Sequence, residues 1–391
     1  MDKASGARVV VVLGEVDDVV ASGRVVGVVE ATTDVVVLPG TPETSVPLVE
    51  GVVEVVHPAT TRPAKRTRTR MGSTYRWQSG TRTTGPIPTY PPPMLQVLVD
   101  VLVPVFAIVG IGYLVARRVG VQPPALATLS YWILGPAFIF DVLAGAELDP
   151  AVVWRVVGST VLTMAAVGLL AALAMKAIGR SFSELAAAVL TSIYGNVGNF
   201  GLAISAFALG DSVLPIAGIV LVTVNTVGIL TGVGLASIRH QSATRSIVTA
   251  LFSPLALAVI PALFVNLTDT SLPLWLDRPV ALLAAALIPV MLLTLGVQIA
   301  GMPRALPRAL VSVPIGIKLA VTPLIAAGAA ALLGLDGVPG DVVVLQAAMP
   351  AAVFTSLIAL EHDLEPDFVT SVVLSGTLVS VLTLPVVISL L

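Results

Sequence analysis

Charge is scarce in this chain. Asp, Glu, Lys and Arg make up 11% of its 391 residues, against about 25% in soluble globular domains. With 56% of residues hydrophobic, that deficit rules out an ordinary water-soluble domain and assigns the chain to a membrane. Cysteine is absent, which excludes disulfides, thiol catalysis and cysteine metal sites. Histidine is nearly so: His57, His240 and His362 all lie outside the apolar runs, leaving no material for histidine catalysis or a metal cluster. No Gly-x-x-x-x-Gly-Lys-Ser/Thr loop occurs, so the chain alone does not drive transport with ATP, and no cofactor is implied. No intramembrane nucleophile–base set is visible, which argues against an enzyme.

The charge that is present is unevenly placed. Residues 1–93 hold ten of the 21 Lys and Arg and end in Pro/Thr/Arg-rich text, with a basic run at 62–70 and three prolines at 91–93. No apolar run there reaches the roughly 18 residues needed to span a bilayer, and the order of charges is not that of a signal peptide. The valine-rich parts suit short strands. Residues 1–93 are therefore expected to be an N-terminal extension, either disordered, a small β domain, or an over-extension of the gene model upstream of Met94. The basic run is discounted as a nucleic-acid site, and no nucleic-acid partner is expected.

From Met94 onward apolar runs follow one another with short polar breaks. Ten helices are expected, roughly at 95–116, 124–145, 151–175, 184–208, 213–237, 247–265, 279–299, 308–333, 340–361 and 366–391, each near the 20 or so residues that cross hydrocarbon. The first five match the second five. Pro104 pairs with Pro254, Pro136 with Pro289 and Asn199 with Pro350, at offsets of 150, 153 and 151 residues. Such constancy points to an internal repeat, spanning 94–240 and 241–391.

A repeat of five spans must be inverted, and loop charges agree. Arg117 and Arg118 follow helix one, whereas Asp269 and Asp277 follow helix six. Glu147 and Asp149 follow helix two against Arg304 after helix seven, and Lys176 and Arg180 follow helix three against Asp336 after helix eight. The positive-inside rule then makes the odd-numbered loops cytoplasmic, with eight loop Lys/Arg inside and only Arg155 and Arg278 outside. Both ends of the 94–391 core are expected to be extracytoplasmic. The acidic loop 361–367 falls inside and gives no support. The expected fold is thus an all-α polytopic membrane protein with ten transmembrane helices in two inverted five-helix repeats.

Helix four carries an unusual interruption, Thr191-Ser-Ile-Tyr-Gly-Asn-Val-Gly-Asn-Phe-Gly-Leu202, and helix nine a matching one, Gln346-Ala-Ala-Met-Pro-Ala351. Paired interruptions in two halves are the sequence mark of a carrier's binding site near the midplane. A broken helix frees peptide groups that are costly in hydrocarbon unless satisfied, and the N-terminal end of a half-helix attracts anions. Gly195, Gly198 and Gly201 permit non-helical dihedrals and close backbone approach. Asn196 and Asn199 offer amides three residues apart. Pro350 removes a donor and kinks the chain, with Gln346 one turn earlier. The bland alternative is that these residues only pack and cross-link helices.

Asn-x-x-Asn-Phe-Gly-Leu in helix four, with Met-Pro-Ala in helix nine, resembles the auxin efflux carrier family of membrane transporters, which includes plant auxin exporters and bacterial dicarboxylate permeases. The resemblance covers 94–391 and none of 1–93. It implies that helices four and nine cross at the substrate site. It also implies a scaffold of helices 1, 2, 6 and 7, a transport domain of helices 3–5 and 8–10, and elevator-like alternating access. By motif position, Asn196, Asn199, Gly198, Gly201, Gln346 and Pro350 become candidate substrate-binding residues. The family usually has proline after Gly-Leu where this chain has Ala203, so the glycines are expected to do the bending.

Ionisable residues inside a membrane are functional candidates by default. Asp141, where the second repeat has Thr294, is a candidate proton-coupling carboxylate, or else an interfacial one. Lys318, ten residues into helix eight, is a candidate to neutralise an anionic substrate or to form a structural ion pair. Thr223 and Asn225 in helix five either face the breaks or merely bridge helices, and Gly228-Ile-Leu-Thr-Gly232 reads as a small-residue contact. Together these features predict a secondary carrier of a small organic anion, a dicarboxylate or an auxin-like acid, in the cytoplasmic membrane. The alternatives are a sodium-coupled symporter of the bile-acid type and a non-transporting membrane sensor. Oligomeric state is open, with a homodimer among the options.

Overall fold

The structure, a computed structural model, describes residues 17–21, 24–28, 94–121, 123–147, 149–240, 252–268, 270–302 and 309–391. The chain divides into two units, residues 1–83 and 84–391. Within the first, an antiparallel hairpin is described, β1 (Asp17–Ala21) and β2 (Arg24–Val28), with Val19 opposite Val26. It is the kind of short valine strand the sequence favours, and a departure from an all-α chain. The basic run 62–70, the prolines 91–93 and His57 lie outside the described residues, as do Arg245, Asp269, Arg304 and Arg308 of the loop-charge pattern.

Within the second unit the described residues are almost entirely helical. In chain order the segments are α1 (Met94–Val119), α2 (Pro123–Ala144), α3 (Pro150–Ala177), α4a (Phe182–Ile193), α4b (Val197–Leu209) and α5 (Leu214–His240). They continue with α6 (Pro254–Leu267), α7 (Leu274–Gly301), α8 (Ala309–Leu332), α9a (Val338–Ala347), α9b (Phe354–Glu361) and α10 (Pro366–Ile388). Seven of these, α1, α2, α3, α5, α7, α8 and α10, contain stretches long and apolar enough to cross a membrane. This is a multi-pass membrane protein. At 14 residues, α6 spans about 21 Å at 1.5 Å per residue, short of the roughly 30 Å of hydrocarbon; residues 241–251 before it are outside the described set.

Local chemistry fixes the ends. Asp149 accepts from the Ala151 amide at 2.8 Å ahead of Pro150. Ser181 and Glu184 form a reciprocal capping box at the start of α4a, satisfying two orphan amides. Gly120 ends α1 in the left-handed conformation, with Arg117 and Arg118 in the last turn, where cations oppose the helix dipole.

Proline shapes the interiors. The helix widens into a π-turn at 98–102, 130–134 and 317–321, and each π-turn is followed two residues on by a proline, Pro104, Pro136 and Pro323. A proline lacks the amide for residue i−4 and its ring collides with that carbonyl. Residues 100, 132 and 319 each sit mid-bulge, where widening relieves the clash. A fourth π-turn, 197–201, has Ala203 in the corresponding place. Pro254 does not repeat the interior role of Pro104: it is the first residue of α6, and Pro261 lies inside that helix instead.

Two sets of helices emerge from the packing. α1 runs along α7, and α2 packs on α6 and α7; α3 packs on α4a, α5 and α8, and α8 on α9a. The α1–α7 crossing is so close that a Cβ on Gly112 would clash with the Leu293 carbonyl, and one on Gly296 with the Val109 carbonyl.

Candidate functional site

Helix four breaks at residues 194–196 and helix nine at 348–353, and the two breaks hydrogen bond to each other. The Asn196 amide donates to the Pro350 carbonyl at 2.7 Å, and the Ala352 amide donates to the Tyr194 carbonyl at 2.9 Å. Gly195 and Ala351 thereby form an antiparallel bridge. This exchange explains why broken backbone is tolerated at this depth, since each segment supplies the partners that lipid cannot. It also means that part of the peptide polarity freed by the breaks is consumed internally and is not offered to a ligand. The bend needs no glycine dihedral. Tyr194 (φ −94, ψ 86) and Asn196 (φ −77, ψ 55) carry it, and Gly195, Gly198 and Gly201 have no positive φ.

What glycine contributes is room. A Cβ on Gly201 would overlap the Gln346 carboxamide oxygen. Gln346, fully buried, donates through Nε2 to Ser205 Oγ at 3.1 Å and so ties α9a to α4b. Asn199 lies one turn beyond the break rather than in it, and donates through Nδ2 to Gln298 Oε1 of α7 at 3.3 Å. Pro350 contributes its carbonyl. Ala203 is buried inside α4b and plays no part in the bend.

The crossing has two unlike faces. On one side lies a vestibule of about 670 Å³, with Asn196, Gly198 and Asn199 on its wall. Pro123, Gly301, Met302, Pro366 and Asp367, all at helix ends, also line it. Tyr131, Trp132, Tyr194 and Phe354 give it aromatic surface, with the Tyr194 and Phe354 rings edge to face at 5.9 Å. Among the described residues no Lys, Arg or His lines it. Four side-chain atoms on residues of this wall are buried without a hydrogen-bond partner: Asn196 Nδ2, Asn225 Nδ2, Ser130 Oγ and Ser356 Oγ.

On the other side a cavity of about 20 Å³ is enclosed by α3, α5, α8 and α9a, with Lys318, Thr163, Ser192 and Gln346 on its walls. Lys318 is 3% exposed. Its ammonium donates to the carbonyl of Ala347, the last residue of α9a, at 3.1 Å. Gly195, just past the end of α4a, lies against it: a Cβ there would be 3.0 Å from Nζ. The cation thus stands where the C-terminal ends of two half-helices converge. Each such end carries partial negative charge, which is what faces the lysine amine; no carboxylate reaches Lys318 among the described residues. Asp141 lines neither cavity and is exposed near the end of α2.

Some residues of these walls have no role assigned by the sequence: Gln298, a lone amide in an apolar helix, Ser130, Ser356, and Tyr194, which is only part of the helix-four interruption. Asn225, open from sequence between facing the breaks and bridging helices, lies on the vestibule wall.

A buried antiparallel crossing of broken helices, reached through a vestibule, defines a membrane carrier type of architecture. The chain belongs to the membrane transport protein family, whose model matches residues 97–388, the family that the helix-four motif resembles. It is similar to an uncharacterized transporter of Methanothermobacter thermautotrophicus, with 29% identity over 157 residues, 39% of this chain and 51% of that protein. That match spans about half of the relative's length. It is also similar, at 23% identity over 301 residues, to a protein of Rhizobium meliloti provisionally named a malonate transporter; this match covers 73% of the chain and 93% of the relative.

Proposed function

We propose that this protein is a secondary carrier of a small organic anion, working by elevator-like alternating access. The observation that carries the reading is the buried, unpartnered Asn196 Nδ2 beside the vestibule. It stands at the entry to α4b, the positive end of a half-helix, and Ser356 adds a second unpartnered polar atom in the first turn of α9b. Unsatisfied donors at positive helix ends, in a cavity without a cation, suit a carboxylate held by neutral hydrogen bonds. Asn199, Gly198, Gly201, Gln346 and Pro350 complete the crossing, and Lys318 holds it from behind without touching the substrate. The name of the Rhizobium relative fits an organic anion.

The fold reading is of ten spans in two inverted repeats, with α4a–α4b and α9a–α9b as the crossing fourth and ninth. The antiparallel bridge between the breaks supports inversion. The packing of α1, α2, α6 and α7 as one set and α3 to α5 with α8 to α10 as another supports a scaffold and a moving domain. The helix ends that line the vestibule all adjoin odd-numbered loops, which under the positive-inside rule supports a vestibule on the cytoplasmic side.

Reconstitution into liposomes tests this. Labelled malonate or an aromatic monocarboxylate should accumulate under a proton gradient or membrane potential, and Asn196→Ala and Asn199→Ala should each abolish uptake. Normal uptake by both variants would remove the main support. Strict sodium dependence would favour the bile-acid type of symport, and saturable binding without uptake a sensor.

A further inference from the structure

The vestibule holds a second polar patch, away from the paired breaks. The Tyr194 hydroxyl donates to Asn225 Oδ1 at 2.6 Å. With Oδ1 so occupied, the end of the amide that faces Tyr131 is Nδ2, which is buried and lacks a close hydrogen-bond partner. Tyr131, in the π-turn of α2, turns its hydroxyl toward the side chains of Asn225 and of Ser253, the residue that caps α6. Ser130, beside it, has a buried hydroxyl without a partner. Gly228, three residues along α5 from Asn225, makes this arrangement possible: a Cβ there would lie 2.5 to 2.9 Å from the Tyr194 ring. The ring is seated so that its hydroxyl fixes the Asn225 amide.

A buried donor without an acceptor costs roughly 1–3 kcal/mol, and native interiors keep few of them. Here Asn225, Ser130 and Tyr131 line one cavity, and no Lys, Arg or His is among its described lining residues. A carboxylate entering there would meet these polar groups as donor partners for its oxygens. Asn225 stands on α5, in the helix set proposed to move, whereas Ser130 and Tyr131 stand on α2, in the set proposed as scaffold.

We propose that Asn225, Tyr131 and Ser130 form a second acceptor subsite, which binds the other oxygen-bearing end of a substrate whose first carboxylate lies at Asn196, and so bridges α2 and α5 through the ligand. This rests on the carrier reading above. It makes Tyr131 and Asn225 specificity residues for acids with two acceptor ends, with Gly228 as a positioning residue behind Tyr194.

The test measures ligand-induced thermal shifts of the purified full-length protein. The probes are malonate and succinate, each paired with the monocarboxylate of equal length, propionate and butyrate. Wild type should bind the dicarboxylates more tightly. Tyr131→Phe, which keeps the ring, and Ser130→Ala should reduce that preference about tenfold, the size of one lost charge-assisted hydrogen bond. Both should leave monocarboxylate binding where it was, and Ser130→Ala should also leave the ligand-free midpoint unchanged. Asn225→Ala should erase the preference, though it also frees the Tyr194 hydroxyl and lowers the midpoint. A wild-type preference for monocarboxylates, an unchanged preference in Tyr131→Phe and Ser130→Ala, or an equal loss for both probe classes would each overturn the subsite while leaving the carrier reading intact. Binding of none of the four acids by wild type would overturn the subsite, and the liposome assay would then decide the carrier reading separately.

Discussion

Behind the crossing, Lys318 fills a closed space and finds its counter-charge in the ends of α4a and α9a. In front, the vestibule is wide, and four polar side-chain atoms on its wall lack partners, against two, Ser192 Oγ and Gln346 Oε1, on the rear wall. The same two breaks serve both faces. A half-helix has a negative and a positive end, so two antiparallel breaks expose two C-terminal ends and two N-terminal ends at one depth. The first pair meets the protein's own Lys318 amine. On the carrier reading proposed above, the second is left for the substrate. A permanent partner stabilises the fold, whereas a vacant donor costs stability and keeps binding energy in reserve. Substitutions on the two faces should therefore separate: those behind change stability, those in front change binding.

The largest effect is expected at Lys318. Lys318→Met keeps most of the volume but removes the cation and its bond to the Ala347 carbonyl. Uncompensated helix ends and a lost charged hydrogen bond together should cost ~4 kcal/mol, read as a large fall in the thermal midpoint of the solubilised protein. Lys318→Arg retains the charge and should recover part of it. If Lys318→Met left the midpoint in place and removed acid binding, the lysine would be acting on the vestibule and the division between the faces would fail.

An intermediate effect is expected where the faces meet. Gly201 sits under the Gln346 carboxamide, and Gln346 in turn holds Ser205. Gly201→Ala forces the carboxamide aside, at about 1–3 kcal/mol for overpacking a buried site. Because Gln346 also lines the rear cavity, both midpoint and binding should drop. A double variant, Gly201→Ala with Gln346→Ala, removes the collision and should regain stability relative to Gly201→Ala alone. Failure to regain any would show that Gly201 matters for another reason.

How much of this could be read beforehand follows from which signals are local. Apolar runs and capping residues are local, and the ends of α2, α3 and α10 fall within two or three residues of the expected ones. Pro104 and Pro136 announced distortion correctly, because the clash of a proline ring with residue i−4 is a property of its own helix. The exact break in helix four was not legible. Asn and Gly through 195–201 mark a segment that can leave helix geometry, but the turn is set at Tyr194–Asn196 by hydrogen bonds to Pro350 and Ala352, more than 150 residues away. The glycines were expected to bend the chain and instead admit Gln346 and Lys318, side chains whose proximity no spacing reveals. Asn225 and Gln298 are single amides in apolar helices, and only the cavity wall distinguishes them from helix cross-links.

The smallest effect sharpens the comparison most. Ser356 lies on α9b, facing the vestibule, with its hydroxyl buried and unpartnered. Ser356→Ala removes an unsatisfied polar group and nothing that packs, so the midpoint of the ligand-free protein should stay level or rise slightly, as expected when an orphan group leaves the interior. Acid binding should nevertheless weaken about three- to tenfold, the equivalent of one ordinary hydrogen bond of about 0.5–1.5 kcal/mol. A rise in stability together with a loss of affinity is the signature of a donor held in readiness, and it is opposite in sign to what Lys318→Met should give. The comparison needs only the ligand-free midpoint and one binding isotherm for each variant. If Ser356→Ala lowered both, its hydroxyl would be doing structural work, and the front face would not differ in kind from the back.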